Sequence, residues 1–363
     1  MTSRNRLALV TLDYPPERGG VARYLGNLVE ASHGTIDVFV NEAHQVAGPG
    51  HVERARLVRT AWPAWWPMVP VIRGFRRRGY SSVLVSQALP CGTAAWLARL
   101  AGGLPYAAIL HGLDLRLALR SRRKTWLLRR ILRGARLVIA NSRVVADELK
   151  TLDARLAPLV ITPGVEPIEF PPREAARRDL GVADETFQLL AVTRLVPRKG
   201  LDRLLDAMQL LPEDVRLTII GDGQDRERLA SIAAPLGERV CFLREADDAE
   251  RDAWYAAADV FALPVRDEGD DVEGFGIVFL EAALAGLPSV AGASGGAVEA
   301  VADGETGLLV DPHDPQAIAG AIQRLRADPG LRRRLGRAGR ERAKRDFRWE
   351  DRWGKLREAL RNA

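Results

Sequence analysis

The sequence predicts two doubly wound α/β domains, each a parallel sheet covered by helices on both faces. Three observations carry that prediction. Apolar runs alternate with helical patterns from end to end, as parallel strands joined by crossover helices require. The chain has 363 residues, enough for two separately cored domains. Between the halves, Thr162–Pro172 has the composition of a linker, with Pro163, Pro167, Pro171 and Pro172 around Gly164. A hydrophobic content of 47% and a charged content of 28% are those of a soluble globular chain.

In order, the strands of the first half are read at Leu7–Leu12, Asp37–Val40, Ser82–Ser86, Ala107–Leu110, Leu137–Ala140 and Leu159–Thr162. Those of the second half are Gln188–Thr193, Arg216–Ile220, Val240–Leu243, Val260–Leu263, Pro288–Ala291 and Gly307–Val310. The domain limits follow as residues 1–165 and 166–345. Charged, helix-periodic sequence occupies the C-terminal part. Ligands of such folds bind at the carboxyl ends of the strands, so the loops after each strand are where functional groups are expected.

The net charge of +6 is unevenly distributed. Residues 1–170 carry 24 Lys+Arg against 12 Asp+Glu, and the remainder 29 against 35. The excess gathers at Arg73–Arg78, near Trp62, Trp65 and Trp66, and in one helix-like run, Arg116–Arg136. Such clusters either form a solvated basic face or attract anionic lipid. Nucleic-acid binding is disfavoured, because no recognised motif accompanies the charge. Leu7–Leu12 is too short for a signal-peptide core, and no apolar stretch reaches the roughly eighteen residues of a membrane span. A cytoplasmic protein is expected, with peripheral attachment to the membrane as an option. Cys91 and Cys241 lack metal-site spacing, and the five histidines form no i, i+4 pair.

The candidate chemistry lies in the loops. EGFGIVFLEAALAGLPSV begins at Glu273 and places Glu281 eight residues on. Gly274 and Gly276 allow a tight turn into a buried helix that Gly286 and Pro288 end. Free N–H groups of Gly274, Phe275, Gly276 and Ile277 and the positive helix end then lie between two carboxylates, a site suited to phosphate or sugar. Glu281 reads equally as a paired interior carboxylate. Arg194 and Lys199, in RLVPRKG, stand five residues apart in one loop and offer a planar fork and a point charge. Gly221, in GDG, reads as a turn that clears space, without the pattern of a dinucleotide fingerprint. Gly19 and Gly20 follow the first strand. His111 ends another in HGLD, where Asp114 is either a site residue or a helix cap. Asn141 and Ser142 are open to the same two readings.

These motifs, in this order, resemble the retaining, nucleotide-sugar-dependent glycosyltransferases of family 4. The resemblance runs over essentially the whole chain. It implies the GT-B fold, two Rossmann-like domains facing a central cleft, with residues 346–363 forming a helix that crosses back to the first domain. It assigns Arg194 and Lys199 to the donor diphosphate, Glu281 to the ribose and Glu273 to hydroxyls of the transferred sugar, with Gly20 and Gly221 also on the donor side. His111 is placed beside that sugar, and Gly19, Asp114 and Asn141 on the acceptor side. Thr193 and Gly164 depart from the family pattern, where glycine and Asn-Gly are common.

The activity implied is transfer of a hexose, mannose being one candidate, from a GDP- or UDP-linked donor to a lipid-linked or glycan acceptor. A soluble enzyme acting on a small metabolite and a sugar-nucleotide epimerase are the alternatives. No metal is expected. Asp270–Asp271 stands upstream of Glu273, but there is no Asp-x-Asp motif at a suitable strand end, and two cations already serve the diphosphate.

Overall fold

The computed structural model describes residues 6–17, 19–45, 48–244, 246–269 and 271–363, so Asp270 lies outside the described residues. Two compact units emerge. Unit 1 comprises Met1–Gly164 with Trp349–Ala363, and unit 2 comprises Val165–Arg348.

Unit 1 is built on seven parallel strands: β1 (Leu7–Val10), β2 (Ile36–Asn41), β3 (His51–Ala55), β4 (Ser82–Ser86), β5 (Tyr106–Leu110), β6 (Leu137–Ala140) and β7 (Leu159–Val160). Their spatial order is β3-β2-β1-β4-β5-β6-β7. Both faces of the sheet are buried. Ala8 and Val10 of β1 enter one core, while Leu7 and Leu9 enter the other. A doubly covered strand therefore reads as an unbroken apolar run rather than an alternating one. β3 has no counterpart in the sequence reading. It pairs only with β2, and its charged HVERA sequence suits an edge.

The helices of unit 1 begin with α1 (Gly20–Ala31), α2 (Met68–Gly74), α3 (Thr93–Leu100), α4 (Leu113–Leu119), α5 (Arg122–Gly134) and α6 (Arg143–Leu152). The continuous helix-like run expected over Arg116–Arg136 is instead two helices. Ser121, with φ −131° and ψ 123°, is extended at the entry to α5 and ends the periodicity there. Three of the run's basic side chains are tied to α6 or the residue after it, and one of them, Arg116, is buried. The Arg116 guanidinium donates to Glu148 (2.6 Å), Arg129 donates to the Leu152 carbonyl (3.1 Å), and Arg133 pairs with Asp153 (2.5 Å).

Unit 2 repeats the plan with six parallel strands: β8 (Phe187–Val192), β9 (Val215–Ile220), β10 (Val240–Leu243), β11 (Val260–Leu263), β12 (Ser289–Gly292) and β13 (Gly307–Val310). They run in the order β10-β9-β8-β11-β12-β13. Its helices are α7 (Arg173–Asp179), α8 (Leu201–Met208), α9 (Arg226–Ala233), α10 (Asp248–Ala257), α11 (Ile277–Ala285), α12 (Ala297–Ala300), α13 (Pro315–Ala327) and α14 (Pro329–Asp346). α11 ends as its sequence requires. Gly286 takes a left-handed conformation (φ 80°), and the N–H of Leu287 returns to the Ala282 carbonyl at 2.9 Å.

The last helix, α15 (Trp349–Asn362), belongs to unit 1. Trp349, Trp353, Leu356 and Leu360 complete the core that contains Tyr24 and Leu28 of α1. The Trp349 and Tyr24 rings meet edge to face, their centroids 5.2 Å apart.

Candidate functional site

In both sheets the strand order reverses beside a central strand, between β1 and β4 in unit 1 and between β8 and β11 in unit 2. At such a reversal the following loops diverge to opposite faces and leave a crevice at the strand ends. The loops that follow these strands carry most of the candidate residues.

In unit 2 the chain leaves β8 through a short turn, Pro197–Lys199, closed by Gly200 at φ 68°. A Cβ there would lie 2.0 Å from the Pro264 carbonyl oxygen, so glycine lets this loop press against the one leaving β11. That close approach brings Lys199 and Glu273 together. The Lys199 ammonium donates to Glu273 Oε2 at 2.5 Å, and Arg198 donates to the same oxygen. All three side chains are buried. Arg198 also lies 2.9 Å from Asp271. Burial alone would raise the Glu273 pKa, but Lys199 and Arg198 outweigh it and hold the carboxyl at about 2. Lys199 is pulled below the usual lysine range by burial and by the neighbouring Arg198 and Arg194, against the opposing pull of Glu273.

Arg194 is on the same loop but exposed, and Glu273 is met by Arg198 rather than by Arg194. Sequence reasoning missed Arg198. Its signal was present as the second basic residue of RLVPRKG, adjacent to Lys199.

Beyond Glu273 the backbone enters α11 through Gly276 in a left-handed conformation (φ 84°), where a Cβ would strike the Phe279 ring at 2.6 Å. The N–H of Gly296 donates to the Glu273 carbonyl at 2.8 Å and fixes the loop from the other side. Phe275 points into the core against Phe347, which leaves its backbone as the available group. Ile277, half-buried, is the first residue of α11. Glu281 is 1% exposed, and the Tyr255 hydroxyl of α10 donates to its Oε2 at 3.1 Å. At Gly221 a Cβ would fall 1.9 Å from the Thr193 carbonyl oxygen, so glycine lets the two loops approach closely. Among the described residues no group of three or more His, Cys, Asp or Glu side chains is placed to hold a metal ion.

In unit 1, Gly19 precedes α1 in extended backbone and Gly20 begins the helix. Neither has a positive φ in the left-handed range, and a Cβ on either would meet nothing within 4 Å. Local conformation therefore does not explain the pair. His111 is buried at the end of β5, its Nε2 3.1 Å from the Ser86 hydroxyl and its ring edge-on to Tyr24 at 5.2 Å. Burial lowers its pKa, with Asp114 opposing, so the imidazole is neutral at pH 7. Ser86 and Tyr24 were not legible as neighbours of His111, because β4 and α1 are far from it in sequence.

The Asp114 carboxylate accepts from the His111 N–H (3.1 Å), so it braces the strand end rather than occupying the cap position of α4, which is Gly112. Ser142 is the N-cap of α6, accepting from the Val145 N–H at 3.2 Å. Its neighbour Asn141 is buried, with Oδ1 unbonded among the described residues.

Two family models account for nearly the whole chain. "Glycosyltransferase Family 4" matches residues 18–167, and "Glycosyl transferases group 1" matches residues 172–342. A curated relative is the GDP-mannose-dependent alpha-(1-6)-phosphatidylinositol monomannoside mannosyltransferase of Mycolicibacterium smegmatis. It is 36% identical over 375 residues, covering 98% of this chain and 98% of that protein. The D-inositol 3-phosphate glycosyltransferase of Xylanimonas cellulosilytica is 36% identical over 230 residues, which is 59% of this chain and 54% of that protein. Among solved structures, the sucrose-phosphate synthase of Thermosynechococcus elongatus superposes with a TM-score of 0.83 at 26% identity, over 99% of each chain. The architecture is GT-B, and the full-length identity extends the match beyond architecture. This chain belongs to glycosyltransferase family 4 and is a glycosyltransferase.

Proposed function

We propose that this enzyme transfers mannose, with retention, from GDP-mannose to a hydroxyl of an inositol-bearing phospholipid. The observation that carries the site assignment is the buried Lys199–Glu273–Arg198 group at the strand reversal of unit 2, next to the start of α11. The choice of donor and acceptor is supported by the full-length relative, whose name specifies GDP-mannose and a phosphatidylinositol mannoside.

In this reading Lys199 leaves Glu273 and, with Arg194, neutralises the diphosphate as the bond from the sugar C1 to the phosphate oxygen breaks. Preorganised charge aimed at a developing anion often does more for the rate than any other single effect. Glu273 accepts from hydroxyls of the mannose, the Gly274–Ile277 backbone binds the donor, and Glu281 accepts from the ribose in exchange for Tyr255. His111, neutral, hydrogen-bonds a mannose hydroxyl. Gly20 lies on the donor side, the acceptor on that of Gly19, Asp114 and Asn141, and the acceptor oxygen bonds to C1 on the face the phosphate leaves. Its proton passes to the departing phosphate oxygen. Two cations serve the leaving group, and no metal step is needed.

A thermal-shift panel tests the donor assignment. GDP and GDP-mannose at a hundredfold excess over Kd are expected to stabilise the protein by about 2.7 kcal/mol through mass action. That corresponds to roughly 5–10 °C in Tm. UDP- and ADP-linked sugars at the same concentration should give much smaller shifts. Equal shifts for all three bases, or none for GDP-mannose, would refute the assignment.

The lipid acceptor leads to a second expectation. No helix among the described residues is long and apolar enough to cross a membrane. Unit 1 nonetheless exposes Trp62 (90%), Trp66 and Trp126 with Leu113 and Leu117, and the exposed cations Arg76, Arg77, Arg122, Arg123 and Lys124. Aromatic and basic side chains of this kind suit the interface of an anionic bilayer. Sedimentation with vesicles containing phosphatidylinositol is expected at low salt, declining as ionic strength rises. Binding that is absent, or indifferent to salt, would remove the membrane from the reading.

A further inference from the structure

Arg198 has no assigned part in the transfer, although it shares one carboxylate oxygen with Lys199. The arrangement poses an electrostatic problem. Glu273 is only 7% exposed, and a buried carboxylate without a counter-charge is costly. If Lys199 turns to a phosphate, as the proposed function requires, Glu273 loses one of its two cations at the moment it must accept from the sugar.

We propose that Arg198 is a positioning residue: it supplies the counter-charge that stays on Glu273 when Lys199 moves to the donor diphosphate. The inference rests on the proposed role of Lys199 and goes beyond it. Three features of the fold support it. Arg198 is held independently of Lys199, since its own guanidinium lies 2.9 Å from Asp271. Its backbone is fixed as well, the Arg198 carbonyl accepting from the Arg266 N–H at 2.8 Å. Arg266 is in turn tied to Asp202 (2.7 Å) and Glu268 (2.5 Å), so the strut beneath Arg198 is itself braced. Arginine also suits the task better than lysine, because its fork can serve Asp271 and Glu273 together.

Among the described residues the charged groups around Glu273 are few. The turn after β8 brings Arg198 and Lys199, with Arg194 beyond Lys199, and the loop itself brings Asp271. From the loop after β12 come the backbone of Gly295 and Gly296 and the hydroxyl of Ser294, which is bonded to Asp267. At α11 the neighbour of this turn is the Phe279 ring. With Lys199 engaged elsewhere, Arg198 is the cation left to favour the ionised carboxylate, and removing it shifts Glu273 toward the protonated form.

The test is the pH dependence of kcat at saturating GDP-mannose for wild type, Arg198→Gln and Arg198→Lys. Losing one adjacent opposite charge shifts a carboxyl by about one to three pH units. The acid limb of Arg198→Gln is therefore expected to move up by at least about one unit, and that of Arg198→Lys to stay near wild type. An acid limb in folded Arg198→Gln that coincides with wild type overturns the inference. A double-mutant cycle supplies a second reading that does not depend on the single variant folding well. If Arg198 acts through Glu273, the double variant Glu273→Gln/Arg198→Gln should match Glu273→Gln in kcat/KM, whereas a further loss of about tenfold or more overturns the proposal. Calorimetric GDP binding to Lys199→Met separates this outcome from failure of the parent reading. Undiminished GDP affinity there refutes the role of Lys199 itself, whatever Arg198 does.

Discussion

Replacing Lys199 by alanine is expected to lower kcat/KM for mannosyl transfer by about 10²–10³-fold, with the folded state preserved. The magnitude is that of removing one preorganised charge from a developing anion. Folding should survive because Glu273 keeps Arg198 as its partner, so no buried carboxylate is stranded. Removing Arg194 as well should deepen the loss. Arg194 is exposed, so its substitution is structurally mild. Steady-state transfer assays, with circular dichroism as the control for folding, decide the matter. Near-normal turnover by a folded variant lacking both cations would disprove the assignment of this loop to the leaving group.

Glu273→Leu carries the largest expected loss of stability, about 3–5 kcal/mol, because it strands the buried Lys199 ammonium beside a buried guanidinium left with Asp271 alone. Activity should fall with it, since the same carboxylate is read as the sugar ligand. Stability must be followed within unit 2, because a chain of two units need not unfold in one step. Hydrogen exchange of the β8 and β11 amides is suited to this. The sign of the pH dependence follows from the depressed pKa. Glu273 is near 2 in the fold against an ordinary value of 4.5, so its contribution is fully present above about pH 4.5 and disappears as pH falls toward 2. The leucine variant should therefore lose less stability than wild type across that acid interval. An unchanged acid response in the variant would show that the pair is not what stabilises the loop.

Much of this was legible in the amino-acid order, for identifiable reasons. Strands buried on both faces announce themselves as apolar runs, and β4, β6, β10, β11 and β13 fall on the residues read for them. α11 was equally readable, because a glycine and a proline stop it chemically. Lys199 and Glu273 stood out in the loop motifs RLVPRKG and EGFG, directly after strands and in the order of the family. What escaped notice depends on contacts made across long stretches of chain. Arg198 acquires its meaning only when the loop after β11 folds against it, and Ser86 only when β4 lies beside β5. β3 escaped for the opposite reason, since an edge strand needs no apolar run. The break between α4 and α5 turns on Ser121, a residue compatible with either conformation. The freedom of Gly221 was visible, but its close approach to the Thr193 carbonyl was not.

The place of α15 has a consequence for biosynthesis. One wall behind Tyr24, and hence behind His111, is supplied by Trp349, so a unit whose strands all precede unit 2 waits for residues that follow unit 2 to close its interior. During translation the first unit would leave the ribosome with an uncovered apolar strip on α1, while unit 2 already has every strand it needs. Vectorial synthesis thus favours completion of the second unit first, and nascent chains stalled before residue 349 should be the aggregation-prone species.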